Sequence, residues 1–184
     1  MTSTTIGQAR VVAVSHGRPV TVRAARADDD ALLADLVYRA SVRTRWLRYF
    51  QPLPASPLHA RAEGRRMAGL ADGPGAVLLA SVAEGAGAAA VAVGELALDP
   101  LGRAGELALL VRDDHQGQGL GLALGRQLVA LARARGLAEL HGHCLPENRA
   151  ALRLARRLGA PVRTSFDDGL IHIVLGLADA PRER

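Results

Sequence analysis

Three glycines at alternate positions, in Gln116-Gly117-Gln118-Gly119-Leu120-Gly121, lie between an apolar stretch ending at Val111 and a run of leucines at helical spacing. A glycine-rich loop that joins a strand to a helix gathers backbone N–H groups at the helix's positive end, and the missing side chains let an anion come close. That is the chemistry of a phosphate cradle. The loop lacks the Gly-Lys-Ser/Thr ending of a P-loop, which disfavours nucleoside triphosphate hydrolysis. Its spacing does not match the Gly-x-Gly-x-x-Gly of a dinucleotide fold, and the strands before it read as hairpin partners.

The stretch leading into the loop carries one acid, Glu106, with Ala108 and Leu110 on its face. A carboxylate among apolar neighbours is a better base near neutrality, suited to taking a proton from an attacking amine. The bland alternative is a solvated strand residue paired with an arginine, with Glu95 as the substitute base. His141-Gly142-His143-Cys144 invites a metal reading. On a strand, however, the two histidines face one side and the cysteine the other, so three ligands do not converge, and no metal is expected. Cys144 reads as a buried packing thiol, and His143 has a substrate-side role as its functional alternative.

These residues need elements to hold them. Val20–Arg23 alternates as a strand, and Asp28–Asp30 opens an apolar-periodic helix through Leu32, Leu33, Leu36 and Val37. The prolines of Gln51–Pro57 form a linker to a second helix over 58–71. Strands follow at 76–83, 90–98 and 105–111, then the glycine loop and a helix that ends at Gly136. A strand at 139–145, a helix from Asn148 to Leu158 with a basic face of Arg149, Arg153, Arg156 and Arg157, and a hairpin of 161–166 with 170–177 complete the order. The basic face reads as solvated, with a phosphate contact as its functional alternative. Trp46, Tyr49 and Phe50 read as core packing, with an acceptor-site wall as the alternative. Residues 1–18 are expected to be a flexible leader, 19–178 the folded domain and 179–184 a tail.

Composition bounds the function. The 184 residues are 49% hydrophobic and 22% charged, which suits one globular domain. The longest uncharged stretches, such as Gly85 to Gly94, reach about half the ~20 apolar residues of a membrane span. No basic-then-apolar leader opens the chain, and the one cysteine cannot form an internal disulfide, so a cytoplasmic location is the expectation. All 23 basic residues are arginine, and the formal net charge is +5. The charges are scattered and aromatics make up only 3%, which argues against nucleic acid as a partner.

Loop, flanking strand and later Asn helix together resemble the GCN5-related N-acetyltransferase (GNAT) family, over about residues 20 to 177. Its signature, Gln/Arg-x-x-Gly-x-Gly/Ala, stands here as Gln116 to Gly121, and Glu147 to Gly159 resembles its second CoA-side motif. The resemblance implies an α/β (α+β) GNAT fold, a mixed and mostly antiparallel sheet of about seven strands with about four helices. It implies acetyl-CoA as co-substrate. Leu109, Leu110 and Val111 would lend backbone groups to the pantetheine arm. Gln116, Gly117, Gln118, Gly119, Leu120, Gly121 and Leu122 would form the pyrophosphate loop. Asn148 would contact CoA near the pantetheine, against the plain alternative of a helix N-cap.

A narrower resemblance, in Ala104 to Ala108, Asp113 to Gly119 and Ala40 to Phe50, is to the acetyltransferase domain of bacterial Pat-type protein-lysine acetyltransferases. It implies Glu106 as the general base and a protein lysine as the amine acceptor. A small-molecule amine and a CoA-binding sensor are the alternatives, and a homodimer is left open. Two departures stand out. Ala155 occupies the position where many relatives carry the tyrosine that protonates the departing thiolate. Pat-type enzymes also often carry a regulatory or synthetase-like domain, for which 184 residues leave no room, so regulation is expected to be simpler or supplied in trans.

Overall fold

A computed structural model describes residues 10–15, 17–53 and 55–177. Eight strands among them form one sheet in the order β1-β2-β3-β4-β5-β6-β8-β7. They are β1 (Arg10–Ser15), β2 (Arg18–Ala24), β3 (Ala76–Glu84), β4 (Gly87–Leu98), β5 (Ala104–Val111), β6 (Glu139–Cys144), β7 (Val162–Asp167) and β8 (Leu170–Gly176). Every neighbouring pair is antiparallel except β5 with β6, as the mixed, mostly antiparallel reading expects.

One expectation needs correction, and one helix was not anticipated. Residues 10–15, read as part of a loose leader, pair with β2 as an edge strand, so the sheet has one strand more than expected. The two ends, 1–9 and 178–184, lie outside the described residues. The stretch from Asp30 to Phe50 is two helices, α1 (Asp30–Arg39) and α2 (Val42–Tyr49). Ala40 and Ser41 are extended between them, and the Ser41 hydroxyl accepts from the Thr44 N–H at 3.1 Å as a new N-cap. The break is held from inside by Arg45, only 2% exposed, whose guanidinium donates to the carbonyls of Tyr38, Ala40 and Leu53. Those carbonyls include two at the end of α1, where a buried cation offsets the unpaired oxygens of the last turn.

Three further helices complete the described chain: α3 (Pro57–Asp72), α4 (Leu120–Ala134) and α5 (Arg149–Ala155). Ser56 caps α3 and Pro57 opens it, where the missing N–H costs nothing. Strand alternation then divides the core between two faces. Leu33, Leu36 and Met67 of α1 and α3 pack on Leu79, Val93 and Leu110. Leu120, Leu124 and Leu128 of α4 pack on Leu78, Val91 and Leu96 from the other side. Under α5 sits a small cluster of Cys144, Ala155 and Ile173.

The two helices of the first layer touch backbone to backbone at Gly64. A Cβ built there would stand 2.2 Å from the Asp30 carbonyl oxygen and 2.9 Å from the Ala34 nitrogen, neither of which can swing aside. Gly64→Ala therefore separates α1 from α3 and should cost about 1–3 kcal/mol, as overpacking does. Gly69→Ala, on the same helix with nothing within 4 Å, should gain up to about 1 kcal/mol of helix propensity. Urea midpoints of the two variants, moving in opposite directions, check this.

Candidate functional site

The site begins where a ladder stops. β5 and β6 pair in parallel only through Ala104↔Glu139, Gly105↔Leu140 and Glu106↔His141. β5 stays on β4 up to Val111, and β6 stays on β8 up to Cys144, so beyond Glu106 and His141 the two strands part. A cleft of about 500 Å³ opens between them, bordered by α2, α4 and α5. The Arg112 N–H donates to the Val91 carbonyl at 2.8 Å, which sets the alternation along β5. The N–H groups of Leu107, Leu109 and Val111 consequently point toward the gap rather than toward β4. Among these, Leu109 and Val111 present donors that β6 no longer meets.

The glycine loop closes one end of the cleft. Gly117 and Gly119 have φ of 73° and 84°, the left-handed region that a side chain would strain, and Gly119 stands at the N-cap of α4. A Cβ on either would meet nothing within 4 Å, so the space above the loop is open to a ligand. The first N–H groups of a long helix face that space without a side-chain cap, the arrangement that binds phosphate.

Asp113 ties this loop to α2. Its carboxylate accepts from the Ser41 N–H at 2.8 Å, the Ser41 hydroxyl at 2.6 Å and the Thr44 hydroxyl at 2.8 Å. Gln116 donates to the Thr44 oxygen at 3.0 Å and to the Val111 carbonyl at 3.1 Å, so the signature glutamine braces the loop against strand and helix together. Burial pushes the Asp113 carboxyl up, but the donors of Ser41 and Thr44 outweigh it and hold the group below its ordinary value.

Most of the residues singled out in the sequence meet here: Glu106, Leu109, Leu110 and Val111 on β5, Gln116, Gly117 and Gly119 to Leu122 on loop and helix, and Asn148 opposite. Gln118 is the exception. It does not border the cleft, and its amide donates to the Asp114 carbonyl at 3.2 Å. Asn148 caps α5, its oxygen accepting from the Ala151 N–H at 3.1 Å, and borders the cleft as well. Glu106 is exposed at the cleft wall rather than sunk among apolar neighbours, because the gap that makes the cleft also uncovers it. It makes no hydrogen bond or ion pair among the described residues.

Glu95 has no such freedom. It is 4% exposed, with Arg48 at 2.6 Å on one oxygen and Arg66 at 2.7 Å on the other, and it does not border the cleft. His141 and His143 border the cleft, while Cys144 is buried on the opposite side, where burial pushes its thiol up.

The match to known proteins follows this geometry. The family model of the acetyltransferase (GNAT) domain matches residues 20–161. The chain belongs to the GNAT acetyltransferase family. Among solved structures, the fold is similar to the GNAT domain of S. lividans PAT, with a TM-score of 0.74 and 24% identity, covering 96% of this chain and 100% of that one. It is also similar to yncA, a putative acetyltransferase from Salmonella typhimurium solved with acetyl-CoA, at TM-score 0.63 and 21% identity over 90% of this chain and 98% of that one. A third likeness is to spermidine N-acetyltransferase from Vibrio cholerae, solved with CoA and spermine, at TM-score 0.61 and 16% identity over 86% and 95%. This GNAT domain is thus an N-acetyltransferase that uses acetyl-CoA, and no helix among the described residues is long and apolar enough to cross a membrane.

Sequence reasoning passed over several cleft residues of this acetyltransferase. Thr44 and Arg48 come from α2 and His115 from the turn before the loop, while Arg153 and Arg157, read as a solvated face with a phosphate contact as the alternative, border the cleft from α5 and its end. Arg153 and Arg157 had a signal, since a basic helix after a CoA-side motif can meet phosphate, although a solvated face was the simpler reading. Thr44 had none, because its partner Asp113 lies 69 residues away.

Because the folded pKa of Asp113 lies below its unfolded value of about 3.9, its contribution to stability is complete above that pH and is lost as pH falls through the folded value. Asp113→Ala should cost about 1 kcal/mol near neutrality, the lower end of the range because the residue is exposed to water. The difference from wild type in thermal midpoint should shrink as the buffer is taken below about pH 4.

Proposed function

We propose that this acetyltransferase moves the acetyl group of acetyl-CoA to the amine of a protein lysine by direct attack, with Glu106 as general base. One observation carries the reading: of the residues that line the cleft, Glu106 is the one carboxylate, and no arginine holds it. Acetyl-CoA, when bound, supplies an acyl group activated as a thioester.

The residues divide the remaining work. Gly117, Gly119 and the first turn of α4 offer N–H donors for the pyrophosphate, and Arg153 and Arg157 add positive charge nearby. Leu109 and Val111 offer backbone donors to the pantetheine arm, and a donor on the splayed strand can also polarise the thioester oxygen. Asn148 keeps its amide N–H groups for the same arm while its oxygen caps α5. Glu106 takes a proton from the acceptor ammonium, which frees the nitrogen lone pair to form the N–C bond; as the C–S bond breaks, the nitrogen gives up a second proton to water or to the departing thiolate, leaving the neutral amide. Ala155 offers no proton where many relatives have tyrosine. Water or another group protonates the thiolate, or it leaves as such.

Two features support a protein acceptor. The sequence resembles Pat-type protein-lysine acetyltransferases over Ala40 to Phe50, Ala104 to Ala108 and Asp113 to Gly119. Beyond His141, the sheet edge carries exposed Arg163, Ser165 and Asp167, so the acceptor side is open enough for a lysine presented on another protein's surface.

Calorimetry with acetyl-CoA and thiol release against protein-lysine, polyamine and amino-acid acceptors test the reading. Glu106→Gln should bind acetyl-CoA as wild type does and turn over about 10²-fold or more slower on a protein lysine. Release with small amines alone would overturn the lysine acceptor. Binding without turnover on any acceptor would leave a CoA sensor, and no binding would overturn the cradle itself.

A further inference from the structure

Three of the six histidines meet on β6 and β8, on the face of the sheet that Glu106 shares. His141 Nδ1 lies 2.9 Å from His172 Nε2, and the two rings are 12° from parallel with centroids 5.1 Å apart. The short N···N contact accounts for most of the centroid separation, so the rings meet edge to edge in nearly one plane, sharing one hydrogen. His143 lies parallel to His172 with its centroid at 4.8 Å. On the far side of His141, Nε2 is 3.7 Å from a Glu139 carboxylate oxygen, and Arg163 holds the other Glu139 oxygen at 2.6 Å.

This row lies beside the base. Glu106 and His141 are partners in the last rung of the β5–β6 ladder, their side chains on one face of the sheet and both bordering the cleft. We propose that the proton Glu106 removes from the acceptor leaves through His141 and His172. The inference rests on Glu106 acting as base.

The protons balance along the row. Glu106 makes no direct contact with His141, so the proton crosses through one water of the cleft: neutral His141, with its hydrogen on Nδ1 toward His172, takes a proton from that water on Nε2 while the water takes the one on Glu106, which restores the carboxylate. The imidazolium so formed has Glu139 beside Nε2–H and the His172 Nε2 lone pair beside Nδ1–H. The Nδ1 proton passes to His172, which gives its own Nδ1 proton to water, and between turnovers both rings return to the starting tautomer by exchanging their ring hydrogens with water. Burial and the neighbouring imidazoles His143 and His141 pull the His172 pKa down, against a smaller opposing effect of Glu139, so His172 does not retain the charge. The charged and titratable groups around the row are Glu106 on β5, Glu139 and His143 on β6, Arg163 on β7 and His172 on β8. A bound acceptor protein would cover Glu106, and the row then keeps a path to solvent at the sheet edge.

Two measurements test the route, one of them independent of any acceptor. Nitrogen-15 spectra of the free protein should show coupling between His141 Nδ1 and His172 Nε2 near neutral pH, lost in His172→Gln. Two imidazoles without coupling would overturn the route even if no acceptor were turned over. With acetyl-CoA and polylysine, His141→Ala and His172→Gln should each lower kcat about tenfold or more while calorimetric acetyl-CoA affinity holds. Free imidazole in the buffer should restore much of the loss in His141→Ala. Unchanged kcat and pH profile in both variants, or a loss that imidazole does not relieve, would overturn it. Absence of wild-type turnover on polylysine would count against the lysine acceptor, and the coupling would still decide the route.

Discussion

A parallel pair of strands that share only three rungs is the constraint from which the site follows. If β5 and β6 stayed paired to Val111, the N–H groups of Leu109 and Val111 would be spent on the sheet and no cleft would exist. Each strand parts from its neighbour without losing its other partner, β4 on one side and β8 on the other. The cost of the gap is therefore a few unpaired backbone groups and not two unsupported strands. The same event exposes Glu106, orients the helix behind the glycine loop toward the opening and leaves His141 at the junction.

Charge then fixes what surrounds the gap. Glu95 bridges Arg48 of α2 to Arg66 of α3 from beneath, and Asp113 grips the first turn of α2 from the loop side. The short helix α2 is thus held at both ends by carboxylates, one from β4 and one from the turn that follows β5. A helix of this length has little stability of its own, so its place at the border of the cleft depends on those contacts.

The glycine loop, its strand and the order of elements were legible because local signals carry them: alternate glycines, an apolar run ending at Val111 and leucines at helical spacing. Legibility failed where the deciding contact is distant. Ser41 is the one local mark between α1 and α2, and the buried Arg45 that holds the corner looks in sequence like any surface arginine. The exposure of Glu106 also escaped, since alternation shows which face a residue takes and not whether a neighbouring strand has left. The same limit hid the His141–His172 pair, whose members stand 31 residues apart. Arg10–Ser15 was missed for a different reason, because an edge strand that pairs on one side needs little pattern of its own.

Every basic partner in these ion pairs is arginine: Arg23 with Asp29, Arg48 and Arg66 with Glu95, Arg112 with Asp114. A guanidinium remains protonated under all ordinary conditions and is a poor nucleophile, whereas a lysine amine is the group that acetyl transfer consumes. The scaffold's electrostatics are therefore built from a cation that its own reaction cannot neutralise. In a protein that handles an activated acyl donor for its whole working life, that choice of side chain keeps the fold chemically separate from the substrate.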